Sequence, residues 1–212
     1  KLVNDTRYLA IKINNILPAD RTADREFFID MIANIAFATK EHLRDSILVS
    51  ELSLPDETLR NNVISSTHRP NKLADVLFER TNQLYKDQII DGYQLYILDK
   101  ELKGFVDMIG GCERIKTTPI PFSFSMFIKK FLFIYSLTLP VSFAWQFGYW
   151  TTPIVILTFY FLVSVELISE EIEDPFGEDI NDLPLDEICF KIKKNIEEIM
   201  LKNLINMYLN LN

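Results

Sequence analysis

From Phe131 to Val165 the chain runs for thirty-five residues without a charge. Lys129 and Lys130 precede the stretch and Glu166 follows it. As one helix it would measure roughly 50 Å at about 1.5 Å per residue, against a hydrocarbon core of about 30 Å. A single crossing cannot hold it. Pro140, Gly148 and Pro153 lie inside, and Gly148-Tyr149-Trp150 reads as a break. The stretch predicts two membrane-crossing helices, 131–147 and 152–168, joined by a tight turn with Trp145, Tyr149 and Trp150 at the interface. The blander alternative is a buried helical hairpin of a soluble protein, but cores rarely exclude every charge over such a length.

The remaining sequence is polar enough to fold in water. Few segments alternate apolar and polar residues, and six glycines and nine prolines in 212 residues favour an all-α protein. A net charge of −8 argues against non-specific nucleic-acid binding, so nucleic acid is not an expected partner. Cys112 and Cys189, 77 residues apart, suggest neither a disulfide framework nor a zinc site, and fit a reducing cytoplasm. The chain opens at Lys1 with no signal-peptide pattern and reads as the middle of a longer protein.

Helical spacing recurs over 1–17 and 25–45, with a short helix over 56–66 begun by Asp56. Thr67 to Asn71 reads as a turn whose Asn71 caps the next helix, which Asp91-Gly92 breaks. A helix from Tyr93 to Ile109 should end at Gly110-Gly111. Cys112 to Pro121 should then be an extended connector, since Thr118 and Ile120 precede prolines. Ile188, Ile192, Ile196, Ile199 and Leu204 give a final amphipathic helix. These segments divide the chain into 1–130, 131–168 and 169–212. The positive-inside rule puts Lys129 and Lys130 in the cytoplasm, and a hairpin returns the chain to that side. Both flanking blocks are therefore expected to be cytoplasmic.

Enzymatic constellations are scarce, and the expectation is a protein that is not an enzyme. There is no phosphate-binding loop, dinucleotide fingerprint or nucleophile elbow. His42 and His68 are the two histidines, and neither has metal-ligand spacing with a second ligand. Cys112 is expected to be a packed structural thiol. Between Glu166 and Glu187 stand ten acids and no base. Within that run the turn Asp174 to Asp182 clusters Asp174, Glu178, Asp179 and Asp182, oxygen ligands of the kind a hard cation such as calcium takes. Its spacing is not that of an EF-hand. A solvated acidic face with helix-capping aspartates is the plainer alternative.

Gly110-Gly111-Cys112-Glu113-Arg114-Ile115, Thr118-Pro119-Ile120-Pro121-Phe122, Leu139-Pro140, Gly148-Tyr149-Trp150 and Glu170 to Gly177 (EEIEDPFG) together resemble the bacterial bestrophin-like family. Leu2 to Arg7 (LVNDTR) resembles the segment after that family's pore neck. The resemblance covers essentially the whole chain. It implies a helical membrane protein: a transmembrane hairpin plus a cytosolic helical bundle, one subunit of a homopentameric channel in the bacterial inner membrane. Monovalent ions would pass through one central pore. Two of the family's four membrane segments, those lining the neck, would precede this stretch.

The resemblance also places candidate residues. The turn at 174–182 resembles the calcium clasp of the animal members, with side chains of Asp179 and Asp182 and backbone oxygens at Glu171 and Asp174; Glu178 joins the candidates. Here Ile180 and Asn181 interrupt what is an unbroken acidic run in the animal proteins. Calcium is the one cofactor implied. The narrow cytosolic aperture falls nearest Tyr93, with Ile90 and Ile97 as neighbours. The acidic balance leans toward cation conduction; a calcium-gated chloride channel is the alternative, and a membrane-anchored scaffold without conduction is the alternative of another class.

Overall fold

The computed structural model describes residues 1–46, 52–54, 56–118 and 121–210. Among them the chain is all-helical: α1 (Leu2–Ile16), α2 (Thr22–Leu43), α3 (Glu57–Ser65), α4 (Arg69–Lys86), α5 (Gly92–Thr117), α6 (Phe122–Phe147), α7 (Thr151–Glu173) and α8 (Leu185–Asn210). They fall into two compact units, one holding residues 1–114 with 184–212 and the other 115–183.

In the first unit α2 is the central helix, packed against α1, α4 and α8. The sequence spacing predicts one moderate apolar face for it. The structure instead buries α2 on nearly every side from Phe28 to Glu41, because neighbours arrive from several directions. Phe28, Ile32 and Ile35 meet Leu9 and Ile13 of α1, Leu73 and Leu77 of α4, Leu98, Leu102 and Phe105 of α5, and Ile192 and Ile196 of α8 in one core. Burying such side chains contributes about 1.5–3 kcal/mol each, so this core dominates the stability of the unit.

Several of the polar groups that enter this core do so with partners. Arg25 lies 5% exposed and donates to the Leu17 carbonyl at 2.7 Å and the Pro18 carbonyl at 2.8 Å. These are acceptors that the end of α1 leaves open. Asn14 accepts from Arg25 Nε at 3.2 Å and donates to the Ile199 carbonyl of α8 at 3.0 Å. Lys40 is buried and reaches Asp186 Oδ1 at 2.8 Å, while Arg44 reaches Oδ2 at 2.7 Å. The hydrogen bonds from Lys40 and Arg44 hold the Asp186 carboxyl below its ordinary range.

The second unit is a hairpin of α6 and α7 about a 3₁₀ turn, Gly148–Trp150. The break falls where the sequence places it. Gly148 sits at φ +51°, a backbone region that side-chain-bearing residues rarely adopt. Both helices run beyond the predicted ends, to Phe122 and to Glu173. Pro140 does not stop α6; nearby, Thr138 donates to the Ile134 carbonyl at 3.1 Å and Ser142 to the Thr138 carbonyl at 3.2 Å. Across the legs Lys129 pairs with Glu166 at 3.4 Å and also with Glu170. Over Ser123–Glu173 only 6% of the most apolar window is buried. The chain therefore does not use this stretch as its own core, and the soluble-hairpin alternative loses its physical basis.

Three local expectations are corrected. Gly110-Gly111 does not end α5, which continues through the supposed connector to Thr117. Glycine costs a helix about 1 kcal/mol but does not forbid it, and Leu98, Leu102, Phe105, Met108 and Ile109 hold the helix to the core. The cap of α4 is His68, whose Nδ1 accepts from the Asn71 amide at 3.2 Å, rather than Asn71 itself. Finally, α4 ends at Lys86, before the break at Asp91-Gly92. The loop expected over 46–55 lies mostly outside the described residues.

Candidate functional site

Three places carry chemistry. The first is the start of α5. Asp91 opens it through an exchange with Gln94: its carboxylate accepts from the Gln94 amide at 2.7 Å, and its own amide donates to Gln94 Oε1 at 2.9 Å. That exchange fixes the first turn, on which Tyr93 stands 74% exposed. Ile97, one turn on, is half-buried. Ile90 differs from both: at 3% exposure it belongs to the unit's own core, which removes it as a side chain facing an ion path. Tyr96 is exposed as well, a large aromatic that the sequence reading passed over.

The second place is the acidic turn after α7. Asp179 and Asp182 close it reciprocally, the Asp182 carboxylate accepting from the Asp179 amide at 2.8 Å and the Asp182 amide donating to the Asp179 carbonyl at 3.0 Å. Leu183 N–H donates to the Pro175 carbonyl at 3.0 Å, and Asn181 Nδ2 donates to Glu171 Oε2 at 2.9 Å. The Asp182 carboxylate lies so close to Gly177 that an added Cβ there would meet Oδ2 at 2.6 Å. Ile180 and Asn181, which interrupt the acidic run, sit at the tip, where Ile180 is fully exposed. Asp174, Glu178, Asp179 and Asp182 thus belong to one folded turn, to which Glu171 at the end of α7 is tied through Asn181. Among the described residues, however, their carboxylates do not form a group of three or more converging ligand atoms.

The third place is one that sequence spacing could not find. His42 at the end of α2, His68 at the cap of α4 and Glu113 in the last turns of α5 converge. His42 Nε2 lies 2.7 Å and His68 Nε2 2.5 Å from the same oxygen, Glu113 Oε1. The two rings stand 4.5 Å apart, tilted by 34°. All three side chains are about one-third exposed. Burial raises the Glu113 carboxyl, but hydrogen bonds from His42 and His68 outweigh it and hold the group below its ordinary value. Sequence spacing gives neither histidine a second ligand, yet the fold brings both onto one carboxylate. The partners are 26, 45 and 71 residues apart in the chain, so no local motif encodes them. The continuation of α5 past Gly111 is what delivers Glu113.

Neighbouring Cys112 behaves as the sequence predicts. Its thiol contacts Met108 Sδ at 3.8 Å and burial pushes its pKa up, which suits packing rather than nucleophilic chemistry.

The family model described as bacterial and fungal bestrophin protein matches residues 1–198. A voltage-dependent anion channel-forming protein of Nostoc sp. is 36% identical over 203 residues, covering 93% of this chain and 66% of that protein. A protein of the same description from Escherichia coli K12, YneE, is 30% identical over 195 residues, covering 91% and 63%. Among solved structures, a variant of a bacterial bestrophin homolog from Klebsiella pneumoniae superposes with a TM-score of 0.89 at 26% identity, covering 93% of this chain and 74% of that one. The chain thus spans a little under two thirds of the curated relatives' length. Their names specify anions, against the lean toward cations drawn from net charge. A net charge sums over the whole chain, whereas selectivity depends on the charges that face the ion path.

Proposed function

Because the chain belongs to the bacterial and fungal bestrophin family, we propose that it is a subunit of a membrane ion channel of the anion type its curated relatives are named for, with five copies around one central pore. The observation that carries this reading is the pairing of two unlike units in one chain. One is a helical bundle with its own core. The other is a hairpin built around thirty-five uncharged residues, most of whose large apolar side chains are exposed. Such a hairpin finds its low-energy surroundings in a bilayer. Trp145, Tyr149 and Trp150, exposed at its turn, suit the lipid–water interface. The bundle then lies on the cytoplasmic side of the inner membrane and lines a vestibule.

In this reading Tyr93 forms the narrow exit of the vestibule. Its first-turn position is held by the Asp91–Gln94 exchange while its ring stays exposed. A ring of five such side chains would raise the cost of moving a hydrated ion through the exit. Ile97 lies behind it. The acidic turn at 174–182 is the proposed calcium-responsive element, acting through Asp179 and Asp182 with Glu171, Asp174 and Glu178 around them.

The test is electrical. Full-length protein in planar bilayers under asymmetric sodium chloride should give a reversal potential of anion sign. Tyr93→Ala should raise conductance or relax selectivity. Absence of current from well-inserted protein would leave a scaffold and sink the channel reading. Asp179→Asn with Asp182→Asn, recorded across a calcium series, tests the acidic turn separately; an unchanged calcium response would remove its role.

A further inference from the structure

Two imidazoles from separate helices address one carboxylate oxygen, and that geometry is one a borderline transition-metal ion can use. We propose that His42, His68 and Glu113 form a binding site for a zinc-class divalent cation, clamping the end of α2, the start of α4 and the last turns of α5. Nothing in the channel reading requires this site, and it lies entirely within the helical bundle.

The donor set decides the class of ion. Two imidazole nitrogens with one carboxylate oxygen suit zinc, cobalt or nickel, whereas calcium and magnesium take oxygen donors. Three protein ligands leave a position for water, as in open zinc sites. The distances fit after a small adjustment. Ligands about 2.0–2.1 Å from a tetrahedral ion stand roughly 3.3 Å apart. The Nε2 to Oε1 separations are 2.7 Å and 2.5 Å, and the three ligand atoms all lie within 4.8 Å of one another. Opening the cluster by less than about 1 Å, within the reach of side-chain rotations, admits the ion. One-third exposure of each side chain gives it a path in.

Proton positions set the consequence of binding. Because His68 Nδ1 accepts from the Asn71 amide, its neutral ring carries the proton on Nε2 and donates it to Glu113. A cation on Nε2 takes the lone pair freed when that proton moves to Nδ1. Nδ1 then stops accepting, and the cap of α4, a bond of 3.2 Å, is given up. The metal replaces it with a tie from α4 to α2 and α5. Since α5 also carries Tyr93 at its other end, about 30 Å away along the helix axis, the ion would anchor the far end of the helix proposed to form the exit.

Full-length protein, purified in detergent and stripped with chelator, should be titrated with cobalt(II) and then with zinc. Expected is one cobalt per chain with visible d–d absorption, displaced by zinc, and a zinc-dependent rise in melting temperature. His42→Gln and His68→Gln, each checked for wild-type helical content, should weaken zinc binding about 100-fold or more, beyond the 10–100-fold typical of an outer-shell partner. Asp99→Asn, an exposed carboxylate on α5 away from the cluster, should leave it unchanged. No saturable cobalt or zinc binding by the wild-type protein would overturn the proposal, whatever the variants do. So would binding that survives both histidine substitutions.

Discussion

Replacing Arg25 should destabilise the helical bundle more than any exposed charge could. Its guanidinium donates to Leu17 O at 2.7 Å and Pro18 O at 2.8 Å, with longer bonds to Asn14 Oδ1 at 3.2 Å and to the Ala19 and Arg21 carbonyls at 3.4 Å. The two short bonds are charge-assisted, and such bonds contribute about 1.5–3 kcal/mol each. The longer ones are weak and nearly cancel against the cost of burying the charge. Without the guanidinium, carbonyls at the end of α1 lose their donor in a place water reaches only partly. Arg25→Met keeps the apolar stem and removes the fork, so its cost isolates the hydrogen bonds. The expected loss is about 3 kcal/mol, or about 6–12 °C in melting temperature for a chain of this size. Arg25→Lys should recover about half, since one ammonium can satisfy one of the two carbonyls. Circular dichroism melts of full-length protein in detergent, at one scan rate, measure both. A shift for Arg25→Met below about 0.5 kcal/mol, the range of an ordinary surface change, would refute the capping argument.

Asp186→Asn should cost about 1 kcal/mol near neutral pH, a figure already discounted because the Asp186 side chain is half-exposed. A carboxyl whose folded pKa lies below its ordinary 3.8 stabilises above that value and loses the contribution as pH falls through the lower one; the melting curves of wild type and variant should therefore draw together as pH falls below 3.8. Gly177→Ala should open the acidic turn, since its Cβ would meet Asp182 Oδ2 at 2.6 Å; faster proteolysis within 174–183 would report it, and wild-type resistance would count against the closure described. Gly111→Ala should raise the melting temperature by the equivalent of about 0.5–1 kcal/mol, because the position is helical and an added Cβ meets nothing within 4 Å; a loss of stability would contradict that open space.

The hairpin was legible because it depends on local facts: length without charge, and a glycine at the one backbone position that demands it. The start of α5 was legible for the same reason, Asp91-Gly92 being a local signal. The extent of α5 was not. The double glycine is a weak local stop, and five core contacts further up the helix override it. The central role of α2 was hidden too, since periodicity records one face while several neighbours bury the rest. The histidine–glutamate cluster joins residues from three helices, so it exists only once those helices have packed. Ile90 reads as equivalent to Tyr93 along the chain, yet one is core and the other exposed.

Lys129 bears on how the hairpin reaches its final place. It stands on the α6 leg just before the uncharged stretch, and Glu166 and Glu170 stand opposite on α7. Each charge alone opposes moving its helix deeper into an apolar phase. Paired across the legs, they present a smaller charge to the headgroup region, with one net negative charge among the three. The two legs then have reason to partition together rather than in sequence. The same cluster sets a floor to insertion depth, where the apolar surface stops and the polar chain must stay in water.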